Sequence, residues 1–222
     1  RDAVREQVVG QAEAVEALAD VVSVAKARLN DPDRPLAAFL FLGPTGVGKT
    51  ECAKAIARTL FGDAERLLRF DLNEFNQYGA AARLVGTFQQ PEGLLTSAIR
   101  RQPFAVVLLD EIEKAHPEVF DLLLSVLGEG RLTDALGRTA DFSNAIIIMT
   151  SNLGVREAQG GLGFNPETDR SFAYTGAAEK FFRPEFFNRL DRVIPFKKLT
   201  RGELAAIARK LVNDVLAREG FG

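Results

Sequence analysis

A glycine-rich octapeptide at residues 43–50 constrains this sequence more than any other feature. It reads GPTGVGKT and matches the pattern G-x-x-x-x-G-K-[ST]. Residues 38–42 before it are wholly apolar, as in a buried parallel strand, and residues 51–60 after it have apolar side chains at helical spacing. A strand, a glycine turn and a helix N-terminus form an anion cradle, because backbone N–H groups and the helix dipole both favour negative charge. The octapeptide therefore predicts a phosphate-binding loop (P-loop).

The residue types in this P-loop indicate what it binds. Lys49 would reach the β- and γ-phosphates of a nucleotide, and the Thr50 hydroxyl would hold Mg²⁺. We therefore expect ATP or ADP and Mg²⁺ as cofactors. The loop residues expected to bind the nucleotide are Pro44, Thr45, Gly46, Val47, Gly48, Lys49 and Thr50.

Asp110 and Glu111 follow a second apolar run at 105–109. A carboxylate at the carboxyl end of a buried parallel strand lies where ligands bind in such sheets. Asp110 would bind the nucleotide's Mg²⁺ through the metal's water shell and share the metal site with Thr50. Glu111 would polarise the attacking water, a contribution of about 10²–10⁴-fold in rate. The alternative is that both acids only cap a helix start.

Apolar runs that predict strands alternate along the chain with segments that predict helices. This alternation favours an α/β fold with a parallel sheet, and Pro195 places the last strand at a sheet edge. We also predict that Asn73 caps a short helix, that residues 131–142 form a hairpin, that residues 160–175 form a mobile glycine-rich loop, and that residues 200–218 form a final helix. The predicted strands are residues 38–42, 67–71, 105–109, 145–150 and 192–196.

Composition excludes several classes of protein. An apolar content of 46% with 26% charged residues is ordinary for a globular domain. The net charge of −2 gives no electrostatic case for nucleic acid or for an anionic membrane. No apolar run approaches the length of about 20 residues that a transmembrane helix needs. The first residues of the sequence do not have the pattern of a signal peptide. Cys52 is the only cysteine, which excludes an intramolecular disulfide and agrees with a cytoplasmic protein.

Several motifs together resemble the Clp family of AAA+ unfoldases, and in particular its second ATPase module, as in the protein disaggregases and protease-associated chaperones. The resemblance runs from about residue 8 to residue 199. It implies a P-loop AAA+ domain with a five-stranded parallel sheet in the order 5-1-4-3-2, flanked by helices. Residues 1–199 would form the large nucleotide-binding subdomain, and residues 200–222 the first helix of a helical lid. The motifs, in family order, are residues 38–51, 107–117, 130–134, 150–154 and 183–191.

The resemblance also implies roles for individual residues. Asn152, which ends a predicted strand, corresponds to the sensor-1 residue that holds water against the γ-phosphate. Arg189 corresponds to the arginine finger, which points into the ATP site of the neighbouring subunit of a hexameric ring. Val8 and Val9 would line the adenine pocket. The implied partners are further copies of the chain and protein substrates, with a protease or an adaptor left open.

Two departures from the family pattern affect this interpretation. The family has a glycine-flanked aromatic loop that grips substrate in the central channel, but residues 87–93 are shorter and lack its aromatic-Val-Gly element. Phe88 is the aromatic residue that remains. The lid that would supply a second sensing arginine follows residue 199 in the family, so we expect this chain to be a fragment of a longer protein.

Other conspicuous residues are interpreted as structural. We expect His116 to cap or pack at a helix start, and Cys52 to be an inert packing residue. Arg183 either assists Arg189 or forms a structural ion pair. Solvated or interface charges are expected at Glu113 and Lys114, and core or interface packing is expected at Phe181, Phe182, Phe186 and Phe187.

The expected function is ATP hydrolysis by a Clp-type AAA+ module that remodels protein substrates, with activity only in the full-length oligomer. Two alternatives stay open. One is a non-threading AAA+ switch, whose ATP-driven assembly repositions a partner. The other is a ring scaffold that binds nucleotide and barely hydrolyses it. The intact nucleotide motifs argue against the scaffold, whereas the short channel loop favours the switch.

Overall fold

The computed structural model of the protein describes residues 10–27, 31–160 and 166–218. Strands and helices alternate in it, as the apolar runs predict. The strands are β1 (Ala37–Leu42), β2 (Leu67–Asp71), β3 (Val106–Asp110), β4 (Arg131–Thr133), β5 (Thr139–Asp141), β6 (Ile146–Ser151) and β7 (Arg192–Pro195). The helices are α1 (Ala12–Ala27), α2 (Lys49–Phe61), α3 (Ala80–Val85), α4 (Leu94–Arg101), α5 (Pro117–Glu129), α6 (Glu157–Gly160), α7 (Pro166–Phe181), α8 (Pro184–Phe187) and α9 (Arg201–Arg218).

Five strands form one parallel sheet in the order β2-β3-β6-β1-β7, while β4 and β5 form a separate antiparallel hairpin. When the strands of the main sheet alone are counted along the chain, this order is 5-1-4-3-2. The fold that the resemblance implies is therefore confirmed. Among the strands that the structure describes, β7 pairs only with β1 and lies at the edge of the sheet, where Pro195 costs no ladder hydrogen bond.

Two apolar layers cover the sheet because successive strand residues point to opposite faces. In β1, Leu40 and Leu42 join the cluster on the face that packs against α5, whereas Phe39 and Phe41 join the cluster on the face that packs against α2. Both faces of the central strands are buried, which explains why their sequences are continuously apolar. Cys52 is fully buried in the α2 layer, and burial raises the pKa of its thiol to about 12, as expected of an inert packing residue.

The prediction of a mobile loop at 160–175 is wrong, because α7 occupies most of that segment. Glycine content and weak helical periodicity concealed this helix. Its packing depends on residues that are far apart in sequence: Tyr174, Ala178 and the following Phe182 are buried in the cluster that also contains residues of α5. Tertiary contacts thus override local preference here.

The predicted cap at Asn73 is also wrong. The side chain of Asp71 caps the 3₁₀ turn Leu72–Phe75 by accepting a hydrogen bond from the Asn73 backbone N–H at 3.0 Å. The Asn73 side chain is therefore free to contact the site described below. By contrast, His116 does cap α5, where its Nδ1 accepts from the backbone N–H of Glu118 at 3.4 Å.

The final helix α9 begins with a capping box. Thr200 Oγ1 accepts from the backbone N–H of Glu203 at 3.3 Å, and Glu203 Oε2 accepts from the backbone N–H of Thr200 at 2.7 Å. The division at residue 199 into a large subdomain and a lid stays a prediction. Within the described ranges, no helix is both long and apolar enough to cross a membrane.

Candidate functional site

The P-loop joins the end of β1 to the start of α2 at the carboxyl edge of the sheet. Gly46 and Gly48 have φ values of 78° and 100°, which residues with a side chain rarely adopt. A Cβ atom added at either glycine would meet no atom within 4 Å, so the loop faces open space. Gly43 has a different role, since a Cβ there would come within 2.6 Å of the Phe196 carbonyl oxygen beside β7. The loop is thus packed against the sheet on one side and forms an open concave surface on the other.

A cavity of about 320 Å³ lies on this concave side, a volume suited to a small ligand. Thr45 and Glu51 line it, and so do most of the residues with predicted roles in nucleotide chemistry. These predicted residues are Gly46, Gly48, Lys49, Thr50, Asp110, Glu111 and Asn152. Pro44 and Val47 are not in the lining, and Val8 and Val9 lie outside the described residues.

Lys49 is almost fully buried at the base of this cavity. Its Nζ donates to Asn152 Oδ1 at 3.0 Å, to the Pro44 carbonyl oxygen at 3.1 Å and to the Gly43 carbonyl oxygen. Burial lowers the pKa of Lys49 to about 8, although the nearby carboxylates of Glu113, Asp110 and Glu111 oppose this shift. The lysine is therefore a positive group whose charge lacks a carboxylate hydrogen-bond partner and is available to an anion.

Asp110 and Glu111 are held together by a residue of the neighbouring strand. Thr150 in β6 donates its hydroxyl to Asp110 Oδ1 at 3.0 Å and accepts the Glu111 backbone N–H at 3.1 Å. The second Asp110 oxygen lies 2.6 Å from Arg69 Nε of β2. Because β3 lies between β2 and β6, residues from both neighbours converge on its last carboxylate.

Glu111 has an unusual backbone conformation, with φ 56° and ψ 51°. It is the one residue other than glycine in the described ranges with a positive φ. Such a conformation costs about 1–3 kcal/mol and persists where the surroundings impose it, commonly at active sites. Here it turns the chain sharply after β3, and the Glu111 carboxylate accepts a hydrogen bond from the Asn73 side-chain amide.

Asn152 is held by Glu113, contrary to the prediction that Glu113 is a solvated or interface charge. The Asn152 backbone N–H donates to Glu113 Oε1 at 3.0 Å, while the other Glu113 oxygen is buried without a hydrogen-bond partner. With its backbone fixed in this way, Asn152 presents its side-chain oxygen to Lys49. Glu113 therefore fixes the position of Asn152 in the site.

Arg189 lies away from this cavity in its own chain. Its Nη1 donates to the Leu124 carbonyl oxygen of α5, and the guanidinium packs over Gly128, where any Cβ would collide with it. Arg34 holds the Arg189 backbone by donating to its carbonyl oxygen at 3.0 Å. The neighbouring Arg183 pairs with acidic residues of its own chain, Asp121 and Glu185, and so forms the structural ion pair that was one of its two predicted roles.

Gln11 was missed as a residue of this region. It is buried, and its side-chain amide donates to the carbonyl oxygens of Val47 at 3.2 Å and Lys197 at 3.0 Å. Its Oε1 accepts the Lys197 backbone N–H at 3.2 Å. Gln11 therefore connects the segment before α1 to the P-loop and to the segment after β7. Val8 and Val9, the residues predicted to line the adenine pocket, precede Gln11 in the sequence.

The residues present fit a magnesium ion. Thr50 and Asp110 line the same cavity, and both offer the hard oxygen ligands that Mg²⁺ prefers. In the described part of the chain no group of three or more histidine, cysteine or acidic residues could hold a metal by itself. At phosphate sites Mg²⁺ is usually bound through one or two protein oxygens, phosphate and water.

Asn73, Thr150, Glu113 and Arg69 were all missed as contributors to the site. Arg69 and Thr150 stand at or near the ends of strands adjacent to β3, so the sheet order implied by the resemblance contained a signal for both. Asn73 and Glu113 gave no such signal, since each contact depends on how a turn after a strand folds back.

Comparison with known proteins supports the same assignment of family. A family model described as AAA domain (Cdc48 subfamily) matches residues 34–193. The chaperone protein ClpB of Bacillus cereus is 48% identical over 221 residues, which cover 96% of this chain and 25% of ClpB. ClpC of Staphylococcus aureus, the ATP-binding subunit of an ATP-dependent Clp protease, is 46% identical over 230 residues, which cover 98% of this chain and 28% of ClpC.

A solved structure, the S. cerevisiae Hsp104–ADP complex, superposes with a TM-score of 0.86 at 37% sequence identity. The match covers 96% of this chain and 38% of that chain. The chain spans about a quarter of the length of the curated relatives it matches. Because the family model covers most of the sequence and the fold agrees, this chain belongs to the AAA domain family and, within it, to the Clp type.

Proposed function

We propose that this domain binds ATP with Mg²⁺ and hydrolyses it. The observation that supports this most strongly is the convergence of Lys49, Asp110, Glu111 and Asn152 on one cavity beside the P-loop. These residues come from the P-loop and from the ends of neighbouring parallel strands. Lys49 would supply a cation that binds phosphate, and Asp110 would supply a metal ligand. The Glu111 carboxylate would activate the attacking water, and the Asn152 amide would position that water. The Hsp104 structure similar to this chain is an ADP complex, which agrees with a nucleotide site.

Each residue has a distinct task in this proposal. The P-loop N–H groups and Lys49 hold the β- and γ-phosphates, and the Thr50 hydroxyl and Asp110 hold the metal. When bound, Mg²⁺ would offset the negative charge that develops on the phosphates. Glu111 orients a water molecule and draws its proton away, while Asn152 keeps that water in line with the γ-phosphate. The strained turn at Glu111 aims its carboxylate at the cavity instead of along the strand.

We further propose that Arg189 acts on the nucleotide of a neighbouring subunit in a hexameric ring. Arg189 does not line the cavity of its own chain, and this supports a role in trans. The segment that carries it is fixed to the body of the domain through Arg34 and through Asp191, whose carboxylate accepts the Ala38 N–H at 2.7 Å. A rigidly held arginine could then be placed precisely by subunit packing.

The proposed role of ATP turnover is the remodelling of protein substrates by a cytoplasmic chaperone machine, with a protease or an adaptor as a further partner. ClpB, named as a chaperone, and ClpC, named as a subunit of a protease, support this proposal. Neither relative favours the alternative of a non-threading assembly switch. The short loop at 87–93 is one of the two departures of this chain from the family pattern.

Two variants of the full-length protein test the ATPase proposal. Lys49→Ala should weaken nucleotide binding by about 10²-fold or more, because it removes a buried cation from the phosphate cradle. Glu111→Gln should leave binding largely intact and slow hydrolysis by about 10²-fold or more. Binding is measured by calorimetry and hydrolysis by phosphate release. Unchanged affinity in the first variant would place the nucleotide elsewhere, and an unchanged rate in the second would remove Glu111 from the mechanism.

A further inference from the structure

Arg69 forms the ion pair that neutralises Asp110, and no motif assigns it a role. Its Nε lies 2.6 Å from Asp110 Oδ2. The two partners differ strongly in exposure: the Asp110 side chain is 10% exposed, whereas the Arg69 side chain is 58% exposed and lines the cavity. A nearly buried carboxylate is thus paired with a cation that is free to leave.

Sheet register places this pair on the P-loop side of the molecule. Asp71 of β2 is directly opposite Asp110 of β3, and Arg69 is opposite Leu108. Leu108 packs in the apolar layer that contains α2. Arg69 lies opposite Leu108, and Asp110 follows Leu108 by two residues in β3, so both side chains project toward the face of the sheet where α2 starts. The Thr50 hydroxyl, the other proposed metal ligand, stands at that helix start.

Asp110 has no oxygen left over in this arrangement. Oδ1 accepts the Thr150 hydroxyl, and Oδ2 pairs with Arg69. Lys49, the other basic residue among those that line the cavity, directs its Nζ to carbonyl oxygens and to Asn152. A metal that uses Asp110, directly or through a bound water, would therefore compete with the Arg69 guanidinium for the same oxygen.

We propose that Arg69 occupies the place of the divalent cation beside Asp110 and must be displaced when Mg²⁺ binds. This inference rests on the proposed nucleotide function. Without metal, Arg69 keeps a buried carboxylate paired, which avoids the large cost of an isolated buried charge. With metal, the like charges of Mg²⁺ and Arg69 repel each other, and the exposed side chain moves away. Arg69 thus sets the metal concentration at which the site is loaded.

The test compares Arg69→Met with the parent in the full-length protein, using Mn²⁺ as the metal probe and ADP as the nucleotide. Free Mn²⁺ is followed by electron paramagnetic resonance at saturating ADP. Asp110→Asn defines which part of the binding belongs to this site. Since a like charge within about 4–6 Å changes cation affinity by tenfold or more, the dissociation constant for Mn²⁺ should fall about tenfold in Arg69→Met. Arg101→Met, which removes an exposed arginine that does not line the cavity, should leave this dissociation constant unchanged.

A second readout separates this role from a merely structural one. Without divalent cations, ADP should bind Arg69→Met more weakly than the parent, because the charge of Asp110 then repels phosphate. With Mg²⁺, ADP should bind at least as tightly as to the parent. General damage to the fold would weaken both. Arg69→Gln provides a second neutral variant, and thermal unfolding checks that each variant is folded.

The possible outcomes are distinct. An Mn²⁺ affinity that is unchanged or lower in both neutral variants would overturn the role of Arg69. If the parent binds no ADP, or if Asp110→Asn leaves Mn²⁺ binding unaltered, the proposed nucleotide site itself fails. Tighter Mn²⁺ binding together with weaker metal-free ADP binding is the result expected.

Discussion

The nucleotide cavity and the loop at 87–92 are both polar regions on one domain, but they are held in different ways. In the cavity, Asp110 and Lys49 are nearly buried, and their partners stand on strands, in the P-loop or directly after a strand. The loop at 87–92 instead presents Phe88 to solvent with 81% of its surface exposed. The loop makes a tight turn in which the Thr87 N–H donates to the Gln90 carbonyl oxygen at 2.9 Å.

Surface ion pairs anchor this loop to the β4–β5 hairpin. Arg138 of the hairpin donates to Glu92 at 2.8 Å and to the Pro91 carbonyl oxygen at 2.9 Å, and it also pairs with Asp134 at 2.8 Å. Arg100 of α4 lies 3.1 Å from the same buried Asp134 carboxylate. Arg138 thus joins the loop to the hairpin, and Asp134 joins Arg138 to Arg100 of α4.

The two regions therefore differ in how much sequence change they tolerate. The chemical groups of the cavity depend on strand order and buried packing, which tolerate little change. The loop depends on partly exposed ion pairs, which contribute about 0–1 kcal/mol each and are screened by salt. The proposed ATP chemistry can therefore persist in this domain while the proposed contact with a substrate varies.

The largest expected effect tests whether the cavity is complete within one subunit. Arginine fingers supplied in trans contribute about 10³–10⁵-fold to hydrolysis, so Arg189→Ala should lower the ATPase rate of the assembled full-length protein by that order. Arg183→Ala, which removes a nearby arginine that pairs within its own chain, is the matched control and should have little effect.

Mixed assemblies decide between action in cis and in trans. Lys49→Ala subunits keep a normal Arg189 but should bind nucleotide too weakly to hydrolyse it at limiting ATP, and Arg189→Ala subunits have a normal cavity. Co-assembly of the two should restore hydrolysis in part. If neither inactive variant rescues the other when they are shown to assemble together, the cavity of each subunit is served by its own residues and the in-trans role is wrong.

A smaller effect is expected from the support behind the cavity. Glu113→Ala removes the acceptor that fixes the Asn152 backbone, and misplacement of such a group costs about 10–10²-fold in turnover. ADP affinity, measured separately, should change little. Glu113→Gln retains an acceptor oxygen and should lose less. Equal losses in the two variants would show that charge, not position, is what Glu113 supplies; Glu65→Ala, at an exposed site, is the control.

How far the sequence predicts this site differs between its parts. The strand, P-loop and helix of residues 37–61 are predicted to within a few residues, because the glycine pattern and the adjoining apolar run act locally. The contacts around Asp110 are not predicted, because they join residues about 40 positions apart that meet only after the sheet forms. The helix α7 is missed for a similar reason, since its weak periodicity is overridden by packing on α5.

A further prediction concerns pH and the cavity alone. Burial lowers the pKa of Lys49 to about 8 in the nucleotide-free site, and contact with phosphate should raise it. The lysine is therefore protonated before binding below pH 8, but must take up a proton on binding above it. Affinity for ADP should be constant below about pH 8 and fall by at most about tenfold per pH unit above it.

Calorimetry in two buffers with different ionisation enthalpies measures this proton directly. Proton uptake on ADP binding should be close to zero at pH 7 and should approach one proton per site at pH 9. The result that contradicts the prediction is an absence of uptake at pH 9 in a protein that still binds ADP. Lys54→Ala, which removes a partly exposed lysine of the same helix, should leave the proton uptake unaltered.

The smallest expected effect is at Phe88, and it tests the other half of the comparison. A gripping aromatic must swing with its loop and bury apolar area against any polypeptide. Phe88 stands on a short turn anchored through Arg138, and Pro91 stiffens the backbone beside it. We therefore expect the full-length protein to pull substrate weakly through this module.

Phe88→Ala should change both the ATPase rate and the unfolding of a tagged reporter by less than about twofold, within the range of surface substitutions. Phe172→Ala, at a phenylalanine of α7 that is also largely exposed, is the matched control. If the parent unfolds the reporter well and Phe88→Ala alone abolishes unfolding while ATPase persists, Phe88 is the gripping residue and the loop is no less specialised than the cavity.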